Sequence, residues 1–234
     1  MAGAQQQPLL AAGEAPITLS LVAHDELWRV DDDTNAGVAI SGSAQAGDLC
    51  LIFCRDEYQV SGTGGAAPAD FTTLLNNKYS SPGGVIYCRD ILCSKILTAA
   101  DAGKTKTFTS GMHRVKYSTL IFRPSRAAAF SFVGSLNYVG VNSNPPVQTV
   151  LVASSTTKSG IAVAYWFQTG AGYAGKYASI SLTEYDIPSD VTGNAGGYAG
   201  FKIFNPDDAK ANFTVDLNDF DNFNTLCSFY LQAS

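Results

Sequence analysis

Few residues in this chain have types and spacings that could carry chemistry, and the most suggestive form the segment 170–176, Gly-Ala-Gly-Tyr-Ala-Gly-Lys. It fits the Gly-x-Gly-x-x-Gly pattern and contains the lysine of a P-loop, and both motifs bind phosphate. A P-loop needs Ser or Thr after the lysine, and both motifs need a helix to follow. Here Tyr177 opens a strand-like alternation instead. The segment therefore predicts a glycine-rich hairpin loop and not a phosphate site.

An acidic segment could bind calcium. Asp31, Asp33 and Asn35 place side-chain oxygens at alternate positions, as at the start of a calcium-binding loop. Such a loop has glycine at its sixth position and a bidentate glutamate at its twelfth, whereas this chain has Ala36 and Gly42. The sequence favours a solvated acidic turn, and a looser calcium site at Asp31, Asp33 and Asn35 stays open as the alternative.

Cysteines are the other candidate metal ligands. The chain has five of them, Cys50, Cys54, Cys88, Cys93 and Cys227. Their spacing differs from the paired knuckles of structural zinc sites, and an odd number cannot all pair. Because side chains alternate along a strand, the first two share a face with an isoleucine between them. We predict buried thiols and no metal.

Acid–base and nucleophilic catalysis have little material here. The two histidines, His24 and His113, are interpreted as surface residues, and no Gly-x-Ser-x-Gly motif is present. Glu184, Asp186 and Asp190 cluster, but a strand end and a turn explain them without catalysis. A hydrolase with paired carboxylates from distant strands stays open. We expect no catalytic residue, no cofactor and a protein that is not an enzyme.

Aromatic residues are better candidates for binding a partner. Tyr173 and Tyr198 each lie in a glycine-rich segment that we interpret as a loop. A rigid aromatic among small residues gains contact area at low entropic cost. Together with Trp28 they support, as an alternative function, a receptor-binding or carbohydrate-binding module for a host-surface glycan. The competing interpretation is that the tyrosines pack over the end of the fold.

Composition limits the class of protein. The chain has 234 residues, of which 46% are hydrophobic and 15% charged, with a net charge of −5 and a pI near 4.9. A disordered chain has fewer aromatics and more charge, and a nucleic-acid-binding protein has clustered cations. We find neither a signal-peptide pattern at the start nor an apolar run long enough for a membrane span. We therefore expect assembly in the cytoplasm.

Short strands dominate the hydrophobic pattern. Apolar residues alternate or run continuously over short stretches, and no long amphipathic helix is predicted. The predicted strands cover residues 17–23, 48–54, 85–88, 91–97, 104–109, 117–123, 129–139, 147–153, 160–168, 177–185, 198–204, 212–217 and 225–231. Single helical turns are predicted at 98–101 and 205–208, in the crossovers. The fold class is all-β, an antiparallel β-sandwich or a jelly-roll-like fold.

The domain organisation is simple. No internal repeat of fixed period is evident, and we predict one β-sandwich domain over residues 16–234. Residues 1–15 form a polar, Ala/Gln-rich N-terminal arm that cannot bury enough apolar area to order itself. Gln5, Gln6 and Gln7 are therefore candidate contacts with a neighbouring subunit.

Five segments also resemble a known family. They cover residues 46–53, 95–103, 107–109, 118–123 and 140–146, within a span of about 37 to 170. They resemble a β-sandwich module of tailed-bacteriophage virion proteins, in which Gly-Asp-Leu and an apolar strand lead to a Thr-Ala-Ala-Asp-Ala-Gly crossover. The usual Pro-Pro-Gly-Trp turn is reduced here to Ser81-Pro-Gly-Gly84.

The resemblance implies a virion protein without enzymatic activity, either a head decoration protein or a tail- or fibre-associated protein. Its implied partners are major capsid or tail proteins and copies of itself. It implies no catalytic residue at any position of this chain.

Overall fold

The computed structural model describes residues 15–30, 36–58, 65–80, 87–108, 114–141, 147–150, 157–169, 176–178, 182–187, 197–217 and 223–234. The described residues contain strands and turns and no helix, which confirms the predicted all-β class. The strands are β1 (Leu19–Val30), β2 (Ala36–Ala39), β3 (Leu49–Tyr58), β4 (Thr72–Ser80), β5 (Tyr87–Ile96), β6 (Thr105–Phe108), β7 (Arg114–Pro124), β8 (Phe130–Phe132), β9 (Asn137–Val141), β10 (Val147–Val150), β11 (Gly160–Thr169), β12 (Lys176–Ala178), β13 (Thr183–Ile187), β14 (Gly197–Phe204), β15 (Phe213–Leu217) and β16 (Phe223–Ala233). Within these ranges no helix is present that could span a membrane.

Two large antiparallel sheets form the centre of the structure. The first has the strand order β1-β7-β3-β5-β4, and the second has the order β13-β14-β11-β16-β8, with β9 also paired to β16. The sheets pack face to face around one apolar core. Leu51 and Phe53 of the first sheet lie in this core with Val163, Tyr165 and Phe229 of the second.

Each central sheet is also covered on its outer face. The antiparallel pair β2–β6 packs Val38 and Phe108 onto the outer face of the first sheet, against Cys50 and Ile52. A small sheet of order β10-β15-β12 covers the outer face of the second sheet. The described structure is therefore a stack of four β layers.

Double coverage explains the continuous apolar run in β3. Side chains alternate between the two faces of a strand, so a strand in a doubly covered sheet needs apolar residues at every position. Leu51 and Phe53 face the second sheet, and Cys50, Ile52 and Cys54 face the β2–β6 pair. The predicted burial of this strand on both faces is confirmed.

The two central sheets repeat one topology. If β1 is matched to β8 and β9, β7 to β16, β3 to β11, β5 to β14 and β4 to β13, their strand orders are identical. The outer pairs β2–β6 and β10–β15 also correspond. In chain order β2 lies between β1 and β3 as β10 lies between β9 and β11, and β6 lies between β5 and β7 as β15 lies between β14 and β16. The chain thus contains an internal duplication that its residue pattern does not reveal as a fixed period.

One turn makes the duplication visible in atomic detail. After β5, the N–H of Thr98 donates to the Asp101 carboxylate at 2.8 Å, and after β14 the N–H of Asn205 donates to the Asp208 carboxylate at 2.7 Å. In both turns the aspartate N–H donates back to the carbonyl of the first residue, at 3.0 and 3.2 Å. The predicted helical turns at these positions are wrong, since each is a hydrogen-bonded turn between strands.

Matching registers extend this equivalence. Leu49 of β3 lies opposite Ile96, and Ile161 of β11 lies opposite Ile203, and both partners precede the repeated turn by two residues. In this register Phe53 is equivalent to Tyr165. Their rings stack across the core with centroids 4.7 Å apart, so equivalent residues of the two repeats meet face to face.

Several predicted strand boundaries differ from the structure. β2 and β4 were not predicted, and β5 joins the predicted strands 85–88 and 91–97, while 129–139 is divided into β8 and β9. The predicted strand 17–23 ends too early, since β1 continues to Val30. A bulge between Leu21 and Ala23 shifts the alternation of apolar residues, so the sequence pattern does not show the full length of the strand.

Gly160 lies where the second sheet has no room for a side chain. A Cβ on Gly160 would lie 2.1 Å from the Tyr230 hydroxyl oxygen and 2.6 Å from the Leu231 carbonyl oxygen. We expect Gly160→Ala to lower the free energy of unfolding by about 2–3 kcal/mol, as overpacking does, measured by urea denaturation. Gly42→Ala is the matched control, because no atom lies within 4 Å of its added Cβ, and its effect should stay within about 0.5 kcal/mol. Equal losses in both variants would contradict this account.

Candidate functional site

Only some of the residues singled out in the sequence fall in the described ranges. Those outside the described residues are Gln5, Gln6, Gln7, Asp31, Asp33, Asn35, His113, Tyr173 and Asp190. Trp28 lies in β1, opposite Lys116 of β7. Tyr198 lies within β14, between its partners Trp166 of β11 and Asp186 of β13, so the predicted strand 198–204 is confirmed there and the loop interpretation of Tyr198 is wrong. Trp28 and Tyr198 therefore belong to different sheets.

The cysteines are buried thiols, as predicted. All five are free and buried. Burial, followed by the charges of neighbouring groups, raises the pKa of Cys50 and of Cys54 well above its ordinary value, so neither thiol is readily ionised. In the described part of the chain, no three His, Cys, Asp or Glu side chains come together in a group that could hold a metal ion.

A buried polar cluster joins the two central sheets. Arg55 and Asp90 are fully buried cross-strand partners, and the Arg55 Nε lies 3.1 Å from an Asp90 carboxylate oxygen. From the second sheet, the Tyr138 hydroxyl donates to the other Asp90 oxygen at 2.9 Å. The Arg55 Nη2 donates to the Thr225 hydroxyl at 3.1 Å, and its guanidinium carbon lies 5.4 Å from the centre of the Phe167 ring.

The chemistry of this cluster is structural. Burial, together with the Asp90 carboxylate, raises the pKa of the Tyr138 phenol, so it remains a hydrogen-bond donor. A buried ion pair with additional hydrogen bonds holds its two partners in one geometry. Because Arg55 and Asp90 are inaccessible to solvent, a substrate would not reach them in this conformation.

This cluster was not predicted from the sequence, although the sequence contains one signal for it. Arg55 continues the alternation of Leu49, Leu51 and Phe53, which places it on the face that meets the second sheet. A charged residue at an inward position predicts a buried partner. The identity of that partner, Asp90, depends on strand pairing between distant parts of the chain.

A second charged network joins the outer β2–β6 pair to the first sheet. The ammonium groups of Lys95 and Lys106 each lie within 2.7 Å of a carboxylate oxygen of Asp70 and of Asp101. Burial alone would raise the pKa of both carboxyls, but hydrogen bonds from Lys106 and Lys95 lower the pKa of Asp70 and Asp101 below the ordinary value. The network connects β5, β6 and the residues before β4, and it supports the fold.

Open space lies beside β1. A cavity of about 240 Å³ lies between β1, β7 and the end of β2, which we call the β1–β2 cavity. Its lining residues are Ala23, His24, Asp25, Ala39, Ser41, Thr119 and Ile121. It combines a carboxylate, an imidazole and hydroxyl groups with short apolar side chains, which suits binding of a small polar group.

A second cavity, of about 360 Å³, lies where the start and the end of the described chain meet. Arg126 and Lys158 line it together with Ile17 and Ser234. The backbone carbonyl of Lys158 accepts a hydrogen bond from the Lys210 ammonium group, and the hydroxyl of Ser159 donates to the Ile17 carbonyl. These bonds fix the first core residue of the chain to the second sheet.

Comparison of the chain with protein-family models, with curated proteins and with solved structures finds no match. The function of the chain is therefore inferred from its residues and their geometry, together with its resemblance to the virion β-sandwich module.

Proposed function

We propose that this protein is a structural component of a phage-like particle, without enzymatic activity, which decorates the capsid or associates with the tail or its fibres. Its partners would be major capsid or tail proteins and copies of itself, joined during assembly in the host cytoplasm. The resemblance of residues 37 to 170 to the virion β-sandwich module supports this class of function.

The observation that carries the proposal is the four-layer construction of the described fold. Both central sheets are covered on both faces, and the buried charges of Arg55 and Asp90 are used to hold the sheets together. Such a body is rigid, and its exterior is available for contacts with other subunits. Among the described large apolar side chains, Ile96 is the exposed one, so a broad apolar patch is not formed there.

The buried thiols fit the proposed compartment. Free cysteines persist where the surroundings are reducing, as in a bacterial cytoplasm. All five cysteines here are free and buried. Assembly in the host cytoplasm is therefore compatible with the cysteine chemistry of the chain.

The proposal is tested by removing residues 1–15, the N-terminal arm. The described contacts nearest to the arm do not include it, since the hydroxyl of Ser125 accepts the N–H of Thr18 at 3.0 Å and Ile17 belongs to the core. We expect the truncated chain to be depleted at least about tenfold from purified particles, while its melting temperature changes by less than about 2 °C. Quantitative mass spectrometry of particles and differential scanning calorimetry supply the two measurements.

A matched control keeps the arm length but replaces residues 1–15 with a Gly/Ser sequence. Loss of incorporation in this variant would show that arm contacts such as those of Gln5, Gln6 and Gln7 matter, and not length alone. Full occupancy of the truncated chain would contradict the role of the arm. Absence of the intact chain from purified particles would contradict the proposed function itself.

A further inference from the structure

The β1–β2 cavity has a polar end made by one cross-strand pair. Asp25 of β1 lies directly opposite Thr119 of β7, so their side chains emerge on the same face of the first sheet. The Tyr117 hydroxyl approaches the Asp25 carboxylate at 3.5 Å, the long limit of a hydrogen bond. Within the described residues, Asp25 forms no ion pair with a lysine or an arginine.

Thr119 adds a second acceptor at this end. The residue is 1% exposed, and its Oγ1 has no hydrogen-bond partner among the described residues. A buried hydroxyl without a partner costs free energy, which a ligand that donates to it or accepts from it would recover, and the Asp25 carboxylate beside it favours the donating kind. A carboxylate and a hydroxyl side by side therefore favour a ligand that is cationic and donates several hydrogen bonds.

The opposite end of the cavity is apolar. Ala23 and Ile121 form the next cross-strand pair on the same face, and Ala39 lines the cavity from β2. These side chains offer hydrocarbon contact but no hydrogen bond. The cavity is thus matched to a short alkyl chain that ends in a charged donor group.

In the second repeat, a larger side chain occupies a position equivalent to one that lines the β1–β2 cavity. In the shared register Ile121 is equivalent to Tyr230 and Thr119 to Ser228. The Tyr230 ring packs on Phe204, with centroids 6.0 Å apart, inside the outer core of the second sheet. At this position the second repeat has the aromatic ring of Tyr230, whereas the first has the smaller Ile121 at the wall of the cavity.

We propose that the β1–β2 cavity binds a primary alkylammonium group, as presented by a lysine side chain of a partner protein. The ammonium lies between Asp25 and Thr119, with Ser41 at the rim, and the alkyl chain lies along Ala23 and Ile121. A net charge of −5 on the chain favours the approach of a cationic partner. This inference stands on the cavity and is independent of whether the partner belongs to a virion.

The probe is n-butylamine, titrated into the isotopically labelled full chain and followed by amide chemical shifts. The measurement is made at about pH 8, where a primary alkylammonium group remains protonated. A ligand this small is expected to bind with a dissociation constant on the order of 1 mM. Shifts should concentrate on β1, β7 and the end of β2.

Two isosteric variants test the polar end. Asp25→Asn removes the charge and should weaken binding at least about tenfold, and Thr119→Val removes the hydroxyl and should weaken it about threefold. Asp207→Asn removes a charge from an exposed turn remote in sequence and should leave binding unchanged. Spectra of each free variant report whether the fold is retained.

Neutral probes test the class of ligand. The uncharged 1-butanol, of the same length, should bind at least about tenfold more weakly than n-butylamine. The proposal is overturned if Asp25→Asn binds n-butylamine as tightly as the unmodified chain, or if 1-butanol binds equally well. Binding of methyl glucoside in place of the amine would assign the cavity to a glycan and would also overturn it.

Discussion

Replacing Asp90 with alanine is expected to lower the free energy of unfolding by about 3–5 kcal/mol. Asp90 is the carboxylate partner of Arg55, and both side chains are fully buried between the central sheets. Removal of the carboxylate leaves the guanidinium charge buried without compensation and takes the acceptor from the Tyr138 hydroxyl. A loss of this size is a large fraction of the stability of a typical domain. Urea denaturation followed by circular dichroism measures it.

A double variant separates the buried charge from the lost packing. Arg55→Leu combined with Asp90→Ala removes both charges, and it should recover at least about 1 kcal/mol of the loss seen in Asp90→Ala alone. The second repeat already has the apolar Phe167 at the position equivalent to Arg55. If the double variant is less stable than Asp90→Ala, the ion pair is not the source of the effect.

Phe53→Ala should be comparably destabilising, by about 3–5 kcal/mol. The Phe53 side chain is fully buried, and its ring stacks on Tyr165 and Phe167 with centroids 4.7 and 5.0 Å away. Truncation removes contacts from both repeats at the middle of their shared core and leaves a cavity there. The same urea titration measures the loss, and an unchanged slope would show that the unfolded state is unaffected.

Ile96→Ala is the matched control for this truncation. Ile96 is 43% exposed, although it lies in β5 of the same sheet as Phe53. Its truncation should change the free energy of unfolding by less than about 0.5 kcal/mol. A loss in Phe53→Ala no larger than that in Ile96→Ala would contradict the central position of the aromatic stack.

The fold class could be predicted because the periodic signal is local. A run such as Leu49 to Cys54 specifies a strand covered on both faces, whatever the rest of the chain does. β4 escaped prediction for the opposite reason. It contains Asn76, Asn77 and Lys78, all exposed at the edge of the sheet, and pairing with β5 makes it a strand.

The residues of the candidate sites were harder to predict. Arg55 and Asp90 are distant in sequence, and only the strand register brings them together. Asp25 and Thr119 likewise become neighbours through the pairing of β1 with β7, which a bulge in β1 shifts by one residue. Motifs of consecutive residues, such as the glycine-rich segment 170–176, contain no information about such pairs.

The duplication was hidden because few identities survive in it. The turn at Thr98 and Asp101 and the turn at Asn205 and Asp208 share hydrogen bonds, but only the aspartate at their last position is the same residue. Strand order and register preserve the relationship, since they depend on alternation of apolar positions and not on particular side chains.

Because the two repeats belong to one chain, their residues can differ at equivalent positions. In a symmetric dimer of separate chains every substitution would appear twice, and an arginine on the central axis would face its own copy. Within one chain, Arg55 meets Phe167 instead, and the halves associate at a high effective concentration whatever the abundance of the protein. A substitution in one repeat therefore need not appear in the other, as Arg55 and its equivalent Phe167 illustrate.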